Sequence, residues 1–394
     1  MRFTHPDGTL VHLAYCTNVH PTEDVAGLLR HVRRFGAAVR EHLGTDRLGM
    51  GLWLPAPVAA ALSGASGERD LEELKRALDD HGLEVVTLNA FPYQGFHDPQ
   101  VKKAVYQPDW TQPARLAYTL DCARLLARLL PPGVRRGSVS TLPLGWRAGW
   151  HDERQQRARA YLDRLAEGLA VLEEETGRTI RVGLEPEPGC AVETLDDAAE
   201  RLAGVDARRL GVCLDACHLA TGFEDPATAP ERLAAAGLPI VKTQASAALH
   251  VADPADPATR EALAAYAEDR FLHQVRERAA SGRVAGRDDL PEALAGKRAL
   301  PGAGPWRVHY HVPLHADPTP PLVTTHEQLT GTLRALFGGE RALTDHVEAE
   351  TYTWSVLPAG QRPEDEDQLA RGLAAELRWV ADRLRDIGLK EATA

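Results

Sequence analysis

The chain has 394 residues, 44% of them hydrophobic, which is enough to bury a large core. Its 45 Lys and Arg against 56 Asp and Glu leave a formal charge of -11, a balance that argues against a protein built around holding phosphodiester backbones and leaves a small polar metabolite as the expected partner. No run of about twenty apolar residues offers a membrane span, the first residues (MRFTHPDGTLVH) lack the apolar stretch of a secretory leader, and five cysteines without a CxxC pair fit reduced thiols in the cytoplasm.

Apolar runs alternate with amphipathic stretches along the chain. Leu10 to Thr17 precedes a helix that Thr22 can cap, with Val25, Leu28, Leu29 and Val32 on one face. Leu48 to Leu54 is the second run, followed by Val58 to Leu62 and a helix from Asp70 to His81. Leu83 to Ala90 is the third, with a helix over Pro113 to Leu130. Gly137 to Leu142 comes fourth, before a helix over Asp152 to Glu175. Thr179 to Glu185, Leu210 to Asp215 and Pro239 to Gln244 are the fifth, sixth and seventh; Leu195 to Leu202 and Pro230 to Ala236 form the helices between them.

That alternation implies right-handed βαβ units and a parallel sheet. A dinucleotide-binding fold would show a glycine-rich turn after the first strand, and the turn reads TNVHPTED. The expectation is an α/β (β/α)8 TIM barrel forming one domain over residues 1–394. Residues 252–300, rich in Ala, Arg, Asp and Glu, read as a helical insertion in a late βα loop, with helical periodicity over Ala262 to Arg278. His346 to Trp354 then closes the barrel as strand eight, and a helix over Glu364 to Leu389 packs outside.

Polar residues gather where the apolar runs end, which in a barrel is the catalytic face. They are Glu185-Pro-Glu187, Asp215-Ala-Cys217-His218, Lys242-Thr-Gln244, His309-Tyr-His311 and Glu350-Thr-Tyr352-Thr-Trp354. Period-two alternation puts Lys242 with Gln244, and His309 with His311, on shared faces. Carboxylates and imidazoles on one rim suit a divalent cation. Asp215 can equally be a helix cap, and Cys213 and Cys217 buried small hydrophobes. Lys242 reads as a base, an anion anchor or an ion-pair partner of Glu187. Phe91, Tyr93, Trp146, Tyr352 and Trp354 are candidates for an apolar wall beside a ring-shaped substrate.

The ordered set resembles the xylose-isomerase-like superfamily of sugar isomerases and epimerases, which also holds metal-dependent abasic-site endonucleases. The resemblance implies metal ligation by Glu185, Asp215, His218, Glu350 and the strand-seven residue. That residue is Gln244, where a histidine is common. His309 and His311 match a two-ligand motif that often carries aspartate. Within the superfamily, YCTNVHP, LNAFPYQGFH, GLEPEPGC, LDACHLA, VKTQASAAL, HYHVPLH and ETYTW are similar to metabolite-traffic proteins of the Ebo type. This implies work on a secondary metabolite, with proteins of the same gene cluster as partners.

The expected cofactor is a divalent ion: manganese, zinc, magnesium or iron. Glu185, Glu350, His218 and Lys242 are the candidate catalytic residues, and Tyr93, Trp146, His309, Tyr352 and Trp354 the candidate substrate contacts. Three functions fit: an isomerase or epimerase of a polyhydroxy carbonyl compound, a carrier that binds a metabolite without turning it over, and a metal-assisted phosphodiester hydrolase. Charge disfavours the last.

Overall fold

The computed structural model describes residues 1–392. Eight parallel strands form its centre: β1 (Leu10–Cys16), β2 (Leu48–Trp53), β3 (Leu83–Ala90), β4 (Arg136–Thr141), β5 (Thr179–Leu184), β6 (Leu210–Asp215), β7 (Ile240–Ala245) and β8 (His346–Ala349). Each pairs with the next, and β8 pairs with β1 through His346 to His12 and Ala349 to Tyr15, so the sheet closes into a (β/α)8 barrel. Closure buries both faces of the strands, which is why β3 (LEVVTLNA) is buried at every position.

The outer helices follow the expected apolar stripes. The longest, Asp152–Thr176, turns Leu162, Leu165, Leu169 and Leu172 inward and ends at Gly177, whose φ of 66° continues the chain in the left-handed region. The C-terminal helix, Glu366–Ile387, is capped by Asp365, whose side chain accepts from the Gln368 N–H. The first helix begins at Val25, and Asp24 rather than Thr22 caps it, accepting from the Gly27 N–H at 2.6 Å. Thr22 instead bonds to the His31 ring at 3.0 Å. Among the described residues, no helix is long and apolar enough to cross a membrane.

The excursion between β7 and β8 departs from the expectation. In place of a helical insertion over 252–300 there is a five-stranded antiparallel sheet, in the order 284–287, 275–278, 306–308, 249–251, 323–324. Two short helices, Pro257–Ala264 and Leu290–Leu294, accompany it. The helix capped by Asp256 stops at Ala264, well short of Arg278. Val275–Arg278 then pairs with Val284–Arg287 through a turn that Gly282 enters at a φ of 83°, and with Trp306–Val308 on its other side. Cross-strand pairing overrides the local preference of an Ala-, Arg- and Glu-rich segment.

Strand eight is also shorter than expected. It ends at Ala349 because its neighbour β7 ends at Ala245, whose carbonyl takes the Glu350 N–H at 3.2 Å. Beyond it, Thr353–Val356 forms a tight helical turn that carries Trp354 away from the barrel axis.

Candidate metal centre

The C-terminal ends of the strands place the acids. Glu185 follows β5, Asp215 ends β6 and Glu350 follows β8; all three are buried, and each offers an oxygen within 4.8 Å of the other two. Burial, with the charges of Glu350 and Asp215, pushes the Glu185 carboxyl well above the ordinary range. Burial with Asp215 and Glu348 does the same for Glu350. Two amides orient Glu350: Asn18 Nδ2 and Asn89 Nδ2 both donate to its Oε1, at 2.7 and 2.9 Å.

Asp215 divides its work between its two oxygens. Oδ1 accepts from the His218 N–H at 2.8 Å and from Ser246 Oγ at 2.9 Å, capping the short helix that follows. Oδ2 is buried with no hydrogen-bond partner among the described residues, as are Glu185 Oε2 and both amide atoms of Gln244. Gln244 is the register partner of Asp215, so both side chains leave the sheet on the same face.

The imidazoles form a second set beside the acids. His218 Nδ1 lies 3.0 Å from the Pro186 carbonyl and His311 Nδ1 lies 2.8 Å from the Glu350 carbonyl, so in each ring Nδ1 carries the hydrogen. For His309 the argument runs through Gln274, whose Nε2 donates to the Pro188 carbonyl at 2.8 Å and thereby turns its Oε1 to His309 Nδ1 at 2.6 Å. All three rings therefore present a bare Nε2. Burial lowers the pKa of His218 to about 4, that of His309 well below its usual value with the help of the neighbouring imidazoles, and that of His311. Yet His218 Nε2 and His309 Nε2 lie 3.0 Å apart, and His311 Nε2 has no partner among the described residues.

Bare lone pairs facing one another, and bare carboxylate oxygens beside them, are costly in a buried site unless a cation takes them up. The residues fit a divalent metal. Glu185, Asp215 and Glu350 make an oxygen set of the kind magnesium or manganese takes, and Gln244, the register partner of Asp215, has its amide atoms unpartnered among the described residues. The imidazoles come within 4.8 Å of one another in three mixed groups, Asp215 with His218 and His311, Glu187 with His218 and His309, and Cys217 with His309 and His311, donors of the kind zinc or iron takes. Asp215 reaches both, since it also groups with His218 and His311 within 4.8 Å.

A cavity opens over this centre. Three of the sequence candidates, Phe91, His309 and Tyr352, line it, together with Glu187 and the roof residues Val101 and Phe271. The roof is joined by the N–H groups of Val101 and Lys102, both 2.8 Å from the Arg270 carbonyl.

Three expected wall residues lie outside the cavity. Tyr93 packs on Tyr118, with ring centroids 5.1 Å apart. Trp146 packs at a tilt against Tyr106, with centroids 4.7 Å apart, and Tyr106 takes the wall position. The Trp354 ring rests against Gly372 of the C-terminal helix, where a Cβ would come within 2.5 Å of it.

Lys242 is not at the mouth either. Its ammonium lies in the barrel interior, 2.5 Å from Glu348 Oε2, with both side chains 0% exposed; Glu348, rather than Glu187, is its ion-pair partner. Burial pulls the lysine pKa down, but the Glu348 carboxylate outweighs it and the pKa is raised, in keeping with an ammonium held as the ion-pair partner of Glu348. Gly51 makes room for the pair, since a Cβ there would fall 1.4 Å from Glu348 Oε1.

Sequence reasoning passed over Asn18, Asn89, Tyr106 and Gln274. Asn18 and Asn89 sit at the ends of β1 and β3, so the strand-end rule used for β5 to β8 would have found them. Tyr106 and Gln274 act from long loops, where no periodicity marks them.

Parallel closure, a ring of acids at the strand ends and imidazoles beside them define a barrel with a candidate metal centre at its mouth. Residues 47–275 match the xylose isomerase-like TIM barrel family, and the chain belongs to it. Glu185, Asp215, His218 and Gln244 fall inside the matched region; His309, His311 and Glu350 fall beyond it.

Among solved structures, the chain is similar to a xylose isomerase-like TIM barrel protein from Mycobacterium smegmatis in complex with magnesium, at 12% identity over 95% of this chain and 98% of that one, with a TM-score of 0.48. It is also similar to D-psicose 3-epimerase with D-tagatose from Clostridium cellulolyticum H10, at 14% identity over 95% and 99%, with a TM-score of 0.48. An L-ribulose 3-epimerase shares 13% identity over 96% and 95%, with a TM-score of 0.49. With TM-scores under 0.5, these likenesses carry no argument about this chain beyond the family match. No curated protein sequence matches the chain.

Proposed function

We propose that the protein is a metal-dependent isomerase or epimerase that moves a proton at a carbon beside the carbonyl of a hydroxy-carbonyl metabolite. The observation that supports this reading is the gathering of Glu185, Asp215 and Glu350 oxygens within 4.8 Å of one another, and of Asp215 with His218 and His311, where Glu185 Oε2, Asp215 Oδ2 and His311 Nε2 are buried without a partner among the described residues. A divalent cation held by Glu185, Asp215, Gln244 and Glu350 would supply Lewis acidity, polarising the carbonyl and acidifying the adjoining C–H.

The chain's own groups do the rest. Glu185, whose Oε2 makes no hydrogen bond, takes the proton from carbon. Glu350, fixed by Asn18 and Asn89, returns one to the neighbouring carbon or to the opposite face of the same carbon. His218, locked in one tautomer by the Pro186 carbonyl, orients the substrate oxygen. The cavity roof keeps bulk water from the transfer. The segments similar to Ebo-type metabolite-traffic proteins support a place in secondary metabolism.

The test uses protein purified without chelator, assayed for metal content, and then incubated with Mn2+ and hydroxy-ketones in D2O. Deuterium should enter the carbon beside the carbonyl and should fail to enter with Glu185→Gln. Tight binding of metal and ketone without any deuterium uptake would make the protein a carrier instead. Absence of bound metal, with no change in melting temperature on adding Mn2+, Mg2+ or Zn2+, would remove the metal centre itself.

A further inference from the structure

The cavity lining joins the acids and imidazoles to a set of apolar side chains. Its roof and far wall are apolar, built by Phe91, Phe96, Val101, Val105, Phe271 and Leu272. The aromatic part is a packed unit: the Phe96 ring centroid lies 5.0 Å from that of Phe271 and 5.3 Å from that of Tyr352, and Phe271 and Tyr352 are 5.0 Å apart. Tyr352 in turn sits 4.8 Å from the His311 ring, so the apolar wall runs directly onto the imidazole set.

A site that reads several hydroxyl groups must keep donors and acceptors free to meet them, and here they are committed elsewhere. Lys102 spends its ammonium on the carbonyls of Glu268 and Phe271, at 2.9 and 2.8 Å, and on Asp289 Oδ2 at 2.7 Å. The Tyr106 hydroxyl donates to Glu187 Oε1 at 2.8 Å and accepts from Gln274 Nε2 at 2.9 Å. Asn89 gives its Nδ2 to Glu350 and takes the Phe91 N–H on its Oδ1, each at 2.9 Å. Away from the acids and imidazoles, what remains is Asn18 Oδ1, without a partner among the described residues.

We propose that the substrate carries a hydroxy-carbonyl head on an apolar or aryl ring, rather than on a polyhydroxylated chain. This rests on the metal-dependent reading above. The head meets the acids and imidazoles, and the ring lies against Phe96, Phe271 and Tyr352. A sugar-like tail in the same place would lose its water to a wall with few groups to replace it.

The experiment keeps the head constant and changes the tail. Metal uptake by the full chain is first measured with Mn2+ alone. The loaded protein is then titrated calorimetrically with hydroxyacetone, 2-hydroxyacetophenone and L-erythrulose. The aryl ketone should bind about tenfold or more tighter than hydroxyacetone, in keeping with what an apolar pocket contributes to discrimination. L-Erythrulose should bind no tighter than hydroxyacetone. Phe271→Ser, or Leu272→Asn should the first variant fail to fold, should bring the aryl ketone down toward hydroxyacetone. Mn2+ uptake with L-erythrulose equal to or tighter than the aryl ketone overturns this inference and leaves the metal-dependent reading standing. No Mn2+ uptake overturns both.

Discussion

Replacing Lys242 by methionine separates a structural from a chemical role for the one lysine that stands near the acids in sequence. Lys242 and Glu348 are both 0% exposed and 2.5 Å apart. Glu348 Oε1 has no hydrogen-bond partner among the described residues, so the lysine is what neutralises that carboxylate. Removing one member of such a pair strands the other in a low-dielectric interior and typically costs about 3–5 kcal/mol. That is a large part of the ~5–15 kcal/mol that holds most domains folded. Replacing both, as Lys242→Met with Glu348→Leu, should recover most of the loss, because a buried pair against an apolar pair is close to neutral. Urea unfolding of the wild type, the two single variants and the double variant yields the coupling directly. If Lys242→Met loses under ~1 kcal/mol, binds Mn2+ normally and yet fails to exchange deuterium into substrate, the lysine is a chemical group and the reasoning is wrong.

Glu376 on the C-terminal helix accepts from Thr351 Oγ1 at 2.6 Å and from the Leu314 N–H at 3.0 Å, and burial pushes its pKa up to about 7. Between the ordinary carboxylate value and about 7 the native chain holds a proton that the unfolded chain has lost, so this group's contribution falls as pH rises through that window, by up to about 3 kcal/mol. Glu376→Gln should flatten the slope, as read from urea unfolding at pH 5 and pH 7; an unchanged slope would assign it to other groups. Gln244→His replaces a weak amide ligand with imidazole beside Asp215 and should tighten Zn2+ binding about tenfold or more in competition with a chromophoric chelator. Unaltered Zn2+ affinity would place Gln244 outside the metal's reach.

The barrel was legible because its strands are short, apolar and regularly spaced, and because polar residues fall at one end of them. The sheet between β7 and β8 was not. Its strands run for two to four residues, include Arg276, Glu277 and Arg307, and alternate too briefly to show a period. Its stability comes from register partners far along the chain, such as Val275 with Val308. The aromatic wall was misjudged for a related reason. Tyr93, Trp146 and Trp354 stand near strand ends in sequence, but Tyr106, Phe96 and Phe271 reach the cavity from loops that fold back over it. Distance along the chain from a strand end is a poor guide to which side of a loop faces inward.

Asp215 shows why the sequence left cap and ligand as rival readings of the same motif. An Asp three residues before His218 has the spacing of a helix cap, and Oδ1 does cap, taking the His218 N–H and the Ser246 hydroxyl. Those two bonds fix the carboxylate plane and leave Oδ2 bare among the acids and imidazoles. The cap is therefore the means by which the second oxygen is aimed. The same economy recurs in the histidines. In His218 and His311 the Nδ1–H is tied to a backbone carbonyl, in His309 to the Gln274 side chain, and each tie presents Nε2 with its lone pair free. A side chain held by a neighbour of its own loop or strand would not need to be ordered by a cation, so the entropy of arranging these donors is met during folding, and a metal bound as proposed would meet a prepared set.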